Sequence, residues 1–140
     1  MRLCLALRSV ALWAVMALLV GGCASIGGGG SKPPEQLVVE RAQARWDALL
    51  RRDWPKAHQY LVPAYRSIVP VESYGFRFSG PLQWESAQVR SAKCEEKRCL
   101  VDVEVTVRLL LPGHLQNQVP TNLEEVWVLE DGQWFKFETP

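Results

Sequence analysis

The chain has 140 residues and a formal net charge of +1, from 16 basic and 15 acidic side chains. Basic and acidic residues are interspersed, which excludes the clustered positive charge that nucleic-acid grooves require. The length fits one domain with a single core.

The first 22 residues are predicted to be a signal peptide that is removed after export. Arg2 and Arg8 precede an apolar stretch at residues 10–20, VALWAVMALLV. This stretch is too short to cross about 30 Å of hydrocarbon as a helix, whereas its length is typical of a signal peptide.

The string VGGC at residues 20–23 follows this apolar stretch directly. It resembles the lipobox of bacterial lipoproteins, in which the cysteine receives diacylglycerol and becomes the new N-terminus. The resemblance implies that Cys23 is lipidated. Because Ala24 is not an aspartate, it also implies sorting to the outer membrane of a Gram-negative cell, on the periplasmic face. The alternative is that Cys23 lies by chance beside an ordinary cleavage site or a membrane anchor.

Residues 23–34 are predicted to be a flexible tether, since SIGGGGSKPP at residues 25–34 is rich in glycine and serine and has little to bury. The remaining residues, 35–140, are predicted to form a single α+β domain.

Residues 35–52 are predicted to form an amphipathic helix, because apolar residues recur at spacings of three and four. We expect Arg45 and Asp47 on its solvent side. The apolar positions are Val38 or Val39, Ala42, Trp46, Leu49 and Leu50.

Asp53 is predicted to cap a second, short helix at residues 54–62, with Pro55 in the first turn, where a missing N–H costs nothing. Residues 64–68 are predicted to add another helical turn. Residues 71–83 are left open between a short helix and a strand, because Gly75, Gly80 and Pro81 interrupt any period.

Residues 99–111, CLVDVEVTVRLLL, carry the clearest alternation in the chain and predict a half-buried strand. We expect its apolar face to pack on the first helix. That face comprises Cys99, Val101, Val103, Val105, Val107, Leu109 and Leu111, and the opposite face comprises Asp102, Glu104, Thr106 and Arg108.

Residues 84–93 predict a strand that pairs with it through the turn CEEKRC. Cys94 and Cys99 would then lie opposite each other, and export permits their oxidation, so a disulfide is predicted. Free thiols or a metal site are the alternatives. Neither His58 nor His114 lies at a recognised metal-ligand spacing from these cysteines, and no metal site is predicted.

Two further strands are predicted at residues 121–130 and 133–138, after a polar loop at residues 112–120. Asp131 and Gly132 between them are typical of a two-residue hairpin turn with positive backbone angles. The third strand places Glu125 on the same face as Trp127.

This order of helices and antiparallel strands resembles the nuclear-transport-factor-2-like fold, also called cystatin-like. The resemblance is carried by RWDALLRRDWPKAHQYLVPAYR at residues 45–66, the paired long strands, and EEVWVLEDGQWFKF at residues 124–137. It implies an α+β cone in which helices pack on a curved sheet of about four strands. A plain cystatin-like scaffold is the alternative. The chain is similar to exported, lipidated members of this superfamily, most of which have no assigned activity.

Enzymes that resemble this fold, such as ketosteroid isomerase, scytalone dehydratase and limonene epoxide hydrolase, use a carboxylate or histidine as a base inside the cone. His58 and His114 are the two histidines of the sequence, the residue type that ordinarily serves as a base near neutral pH, and we expect surface or capping roles for both. The sequence contains no nucleophile elbow, phosphate loop, zinc motif or dinucleotide fingerprint. No catalytic residue and no cofactor are predicted.

The function predicted is a non-catalytic ligand-binding or protein-interaction module that meets the membrane through its lipid anchor. Its partner would be an envelope protein or a small apolar ligand, without nucleic acid, and a homodimer through the open sheet is left open. A small lyase or isomerase and an accessory of an envelope secretion or assembly machine are the alternatives. The candidate pocket residues are Trp46, Tyr60, Tyr65, Trp84 and Trp127, for which core packing is the competing role.

Overall fold

In the described part of the chain, four helices precede four strands. A computed structural model of the chain describes residues 32–109 and 118–140. The predicted signal peptide, Cys23, residues 24–31 of the tether, Leu111 and His114 lie outside the described residues. The elements are α1 (Pro34–Leu50), α2 (Trp54–His58), α3 (Pro63–Ile68), α4 (Val71–Phe76), β1 (Leu82–Glu95), β2 (Arg98–Leu109), β3 (Gln118–Glu130) and β4 (Gln133–Lys136).

The strands form one antiparallel sheet in the order β1-β2-β3-β4. Irregularities between Trp84 and Ser86, and between Val89 and Ser91, interrupt the register of β1. Such bulges bend a strand and increase its twist. Helix α1 packs on the inner face of this curved sheet, so the predicted α+β cone is the fold observed.

The inner face of β2 is the one predicted from its alternation. Cys99, Val101, Val103 and Val105 are at most 1% exposed, whereas Asp102 faces solvent. The valines pack beneath α1, which buries Val38, Ala42, Trp46, Ala48 and Leu49 against them. Burial of this apolar surface is the main stabilising contribution of the fold.

Arg45 corrects one prediction for α1. It was expected on the solvent side but is 3% exposed in the core. The reason is a partner that helical periodicity alone does not reveal, namely the buried carboxylate of Glu125 on β3.

Helix α1 ends in a hydrogen-bonded turn known as a Schellman motif. The N–H of Arg52 donates to the carbonyl of Leu49 at 3.0 Å, and the N–H of Asp53 donates to the carbonyl of Ala48 at 2.9 Å. Arg52 has a φ of 57°, in the left-handed region.

Asp53 caps α2 as predicted, because its carboxylate accepts from the N–H of Lys56 at 3.2 Å. The helix ends at His58 rather than at residue 62. The chain beyond it pairs with β4 instead: Val62 donates to the carbonyl of Lys136, and Lys136 donates to the carbonyl of Tyr60. The requirement to pair this sheet edge ends the helix early.

The segment left open at residues 71–83 contains both alternatives, helix α4 first and the start of β1 at Leu82. Strand β3 begins at Gln118, so residues 118–120, predicted as loop, belong to the sheet. Strand β4 ends at Lys136, before the expected residue 138. The turn between β3 and β4 is the one predicted, with φ of 48° at Asp131 and 77° at Gly132.

Cys94 and Cys99 are joined by the predicted disulfide, with their Cα atoms 4.0 Å apart across β1 and β2. At the outer edge of β1, the side chain of Gln43 on α1 contacts the backbone. Its amide donates to the carbonyl of Ala87 at 3.1 Å and accepts from the N–H of Val89 at 3.0 Å. Across residues 32–109 and 118–140, no helix has the length and apolar character needed to cross a membrane.

Candidate functional site

The interior of the cone contains a hydrogen-bonded cluster of polar side chains. Arg45 donates to Oε1 of Glu125 at 2.7 Å and to the hydroxyl of Tyr74 at 3.0 Å. The other carboxylate oxygen of Glu125 accepts from the indole N–H of Trp127 at 3.0 Å. All four residues are at most 6% exposed, so this cluster is enclosed by protein.

Burial alone would lower the pKa of Arg45, but the negative charge of Glu125 opposes this and the pKa is raised overall. Burial raises the pKa of the Tyr74 phenol, and the positive charge of Arg45 opposes this in part. The arginine is therefore held charged and the tyrosine neutral at pH 7.

Tyr65 and His58 lie beside this cluster. The ring of His58 is 5.5 Å from that of Tyr74 and 6.4 Å from that of Tyr65. His58 was expected at the surface or in a cap, and it is only 7% exposed. Its Nε2 lies 2.8 Å from the carbonyl of Val69, the residue directly after α3, and donates to it. The imidazole therefore bonds the carbonyl at a helix end from a buried position.

The five predicted pocket residues do not converge on one hollow among the described residues. Trp46, Tyr65 and Trp127 are at most 3% exposed and belong to the core. Tyr60 is half-buried beneath the guanidinium of Arg41, 5.1 Å from its ring. Trp84 is half-buried and lines an open hollow at one end of the sheet.

That hollow belongs to a groove where the C-terminal end of α1, α2 and the start of β1 meet. Its main part has a volume of about 230 Å³, and an adjoining part of about 80 Å³ adds Leu49, Leu50 and Trp84. We call the main part the aromatic groove. It is lined by Arg52, Trp54, Phe78, Ser79, Gly80, Leu82 and Gln83.

The aromatic groove is built on a stacked pair of rings. Trp54 and Phe78 have centroids 5.8 Å apart and an interplanar angle of 14°. Trp54 can lie in this position because Gly75 has no side chain: a Cβ there would be 3.0 Å from Cδ1 of the indole. Phe78 in turn contacts Trp84, with centroids 6.0 Å apart, and Trp84 contacts Trp46 in the core at 5.5 Å.

The side chains that line the groove are suited to binding a ligand rather than to acid–base chemistry. Among its lining residues Arg52 is the one charged side chain, and none is a histidine or a carboxylate. Within the part of the chain that the structure describes, no group of three or more histidines, cysteines or acidic residues is placed to hold a metal ion. Aromatic rings beside a few polar groups, here Arg52, Ser79 and Gln83, are a combination found in small-molecule sites.

Sequence reasoning placed Trp84 near a pocket but missed Trp54, Phe78 and Arg52. Their separation in sequence explains this, because they meet only once residues 71–83 have folded as α4 and an irregular connection. The local signal was the aromatic character of Trp54, directly after the predicted cap Asp53, and of Phe78, in the segment whose period Gly75 and Gly80 interrupt.

No protein-family model matches the chain, and no curated protein is similar to it by sequence. Among solved structures, a SEC-C motif containing protein from Rhodopseudomonas palustris has a TM-score of 0.56 at 12% identity, over 70% of this chain and 73% of that one. A putative dehydratase of the NTF2-like family from Streptomyces avermitilis has a TM-score of 0.49 at 14% identity, over 72% and 89%. An LEH-like epoxide hydrolase from M. tuberculosis has a TM-score of 0.48 at 15% identity, over 75% and 84%. The likeness is one of fold.

Proposed function

We propose that this protein is a lipid-anchored binding module of the outer membrane, facing the periplasm, which holds a small apolar ligand in the aromatic groove and performs no catalysis. The observation that carries the proposal is the contrast between the two candidate sites. In the cone interior the acidic and basic groups pair with one another, whereas the open groove is lined by the rings of Trp54 and Phe78.

The state of Glu125 supports a non-catalytic role. An acid–base catalyst needs a carboxylate or imidazole within reach of a substrate. Both carboxylate oxygens of Glu125 are engaged, one by Arg45 and one by Trp127, and the Nε2 of His58 is engaged by the carbonyl of Val69. These buried groups hold protein partners in place of a substrate.

The aromatic groove supports a small ligand by size and by chemistry. A volume of about 230 Å³ suits a molecule of one or two rings. The stacked Trp54 and Phe78 present ring surface against which an apolar molecule packs well, since aromatic pairs favour offset-stacked or edge-to-face contacts.

Binding is tested with 2-naphthol, a neutral two-ring molecule, and the full chain in phosphatidylcholine nanodiscs. We expect saturable binding that perturbs the Trp54 indole N–H in NMR spectra and that Phe78→Ala abolishes. Phe137→Ala is the matched control, because Phe137 is 47% exposed and lies outside the groove. No saturable binding, or binding that ignores Phe78→Ala, would refute the proposal.

The anchor is proposed from the lipobox-like string at residues 20–23 and is tested separately. We expect mass spectrometry to find diacylglycerol on Cys23 and the protein to fractionate with the outer membrane. Cys23→Ser should release it from the outer membrane, and Ala24→Asp should move it to the inner membrane. An unmodified Cys23 in a membrane-free protein would contradict the anchor without touching the binding site.

A further inference from the structure

We infer that the aromatic groove selects amphipathic anions, in which a carboxylate or sulfonate is attached to an apolar body of one or two rings, and that Arg52 binds the anionic group. The inference rests on the proposed function of the groove as a binding site and adds the chemical class of its ligand.

The backbone of Arg52 is the first observation. This residue occupies the left-handed position of the Schellman motif that ends α1, with a φ of 57°. Glycine is the usual residue there, because a side chain at positive φ clashes with its own backbone. Arg52 therefore carries a conformational cost that a glycine would avoid, and strain of this kind clusters at functional sites.

The charge of Arg52 is the second observation. Of the nine arginines in the described residues, Arg45, Arg77, Arg90 and Arg108 form ion pairs with glutamates, and the other five, Arg52 among them, do not. No ion pair within residues 32–109 and 118–140 involves Arg52, and the carboxylate of neighbouring Asp53 accepts from the Lys56 N–H. The groove thus has a positive charge without a carboxylate of its own to neutralise it.

The position of Arg52 beside the aromatic rings of the groove is the third observation. The same hollow contains the stacked rings of Trp54 and Phe78. A guanidinium offers a planar fork of N–H donors that matches a carboxylate or sulfonate, and the exposed side chain of Arg52 is accessible to such a group. A ligand with an apolar body and one negative charge satisfies both features of the groove at once.

The strain and the charge together make a distinctive prediction for Arg52→Gly. This substitution removes the conformational cost and the guanidinium in one step. We expect it to raise the midpoint of thermal unfolding while it lowers affinity for an anionic ligand. A residue that only helped the fold would give the opposite result for stability.

The experiment compares two probes of equal shape, 2-naphthoate and neutral 2-naphthalenemethanol, by equilibrium dialysis. The protein is the full chain in phosphatidylcholine nanodiscs, with empty nanodiscs as the blank. We expect 2-naphthoate to bind about tenfold more tightly than the alcohol, in keeping with one charge-assisted interaction. Arg52→Gly should remove this tenfold preference and leave the affinity for the alcohol unchanged.

Arg51→Ala is the matched control, because Arg51 adjoins Arg52 at the end of α1 and does not line the groove. It should leave the affinity for 2-naphthoate unchanged. If both probes bind equally well to the wild-type protein, or if Arg51→Ala weakens 2-naphthoate as much as Arg52→Gly does, the inference is wrong and the proposed function stands. If neither probe binds, both are wrong.

Discussion

The guanidinium of Arg45 on α1 lies 2.7 Å from the carboxylate of Glu125 on β3, although the two residues are 80 positions apart in the sequence. Both are buried in the core. Burying two charges costs several kcal/mol of desolvation, which their attraction balances only when the remaining polar atoms are satisfied, and Nε of Arg45 is buried without a hydrogen-bond partner among the described residues. The pair therefore favours the observed packing of α1 on the sheet over other packings in which Arg45 or Glu125 would be buried without its partner.

Glu125→Ala should destabilise the protein by about 3–5 kcal/mol, because it leaves Arg45 buried without its counter-charge. The double variant Arg45→Met, Glu125→Leu should recover much of this loss, since it buries no charge. The free energy of unfolding is measured by urea titration followed by circular dichroism. Glu104→Ala is the control, as it breaks an exposed pair with Arg90 and should cost less than about 1 kcal/mol. Equal costs for the two single variants would contradict the role assigned to the buried pair.

Tyr65 and Tyr74 should respond differently to loss of the phenol hydroxyl. The hydroxyl of Tyr74 accepts from Arg45, whereas that of Tyr65 is buried without a hydrogen-bond partner among the described residues. Tyr74→Phe should cost about 1.5–3 kcal/mol, the range for a hydrogen bond to a charged group, and Tyr65→Phe should be neutral or stabilising. Urea titrations of both variants at pH 7 test this. A larger cost for Tyr65→Phe would mean that its hydroxyl has a partner in solution.

Stability should fall at alkaline pH because burial raises the pKa of both tyrosines. Their contribution is complete below the unfolded-state pKa of about 10 and is lost as the pH rises through the higher folded-state pKa. The free energy of unfolding should therefore decline above about pH 10, and less steeply in Tyr65→Phe. Urea titrations between pH 8 and 11, with tyrosinate absorbance recorded in parallel, measure this. A slope unchanged by Tyr65→Phe would assign the decline to other groups.

Reduction of the disulfide between Cys94 and Cys99 should lower the free energy of unfolding by about 2 kcal/mol. The bond closes a short loop, with a sequence separation of 5, and the entropy it removes from the unfolded chain is correspondingly small. Urea titrations with and without a phosphine reductant give the difference. The Cys94→Ala, Cys99→Ala variant serves as the control, because it should not respond to the reductant.

Gly75→Ala should disturb the aromatic groove, whereas Gly80→Ala should not. A Cβ at Gly75 would lie 3.0 Å from the Trp54 ring, while a Cβ at Gly80 would meet open space. Overpacking costs about 1–3 kcal/mol. Alanine gains about 1 kcal/mol over glycine from its helix preference, so the cost equals or exceeds the gain. We expect a net loss of stability and a shifted Trp54 indole resonance for Gly75→Ala. An unshifted resonance would show that Trp54 is not held by this contact.

Local patterns predicted the parts of the fold that depend on neighbouring residues. The period of two in β2, the carboxylate of Asp53 before α2, and Asp131 with Gly132 each specify a structure within a few positions. The disulfide followed from the hairpin between its cysteines. These features were readable because the interactions that fix them are short in sequence.

Long-range partners limited the rest. Arg45 looked like a solvent-facing residue because the periodicity of a helix does not contain a carboxylate on a distant strand. The sequence did place Glu125 on the face of Trp127, and a charged residue on a buried strand face is the signal that could have located the pair. The groove was harder to foresee, since Arg52 and Phe78 come from segments that meet only in the folded chain.

Gln43 has a consequence for how molecules of this protein meet one another. Strand β1 lies at one edge of the sheet, and the Gln43 amide bonds one carbonyl and one N–H of that strand. Exposed strand margins are templates on which a second chain can add and begin aggregation. One glutamine side chain thus occupies two main-chain groups that a second chain would need in order to pair with β1.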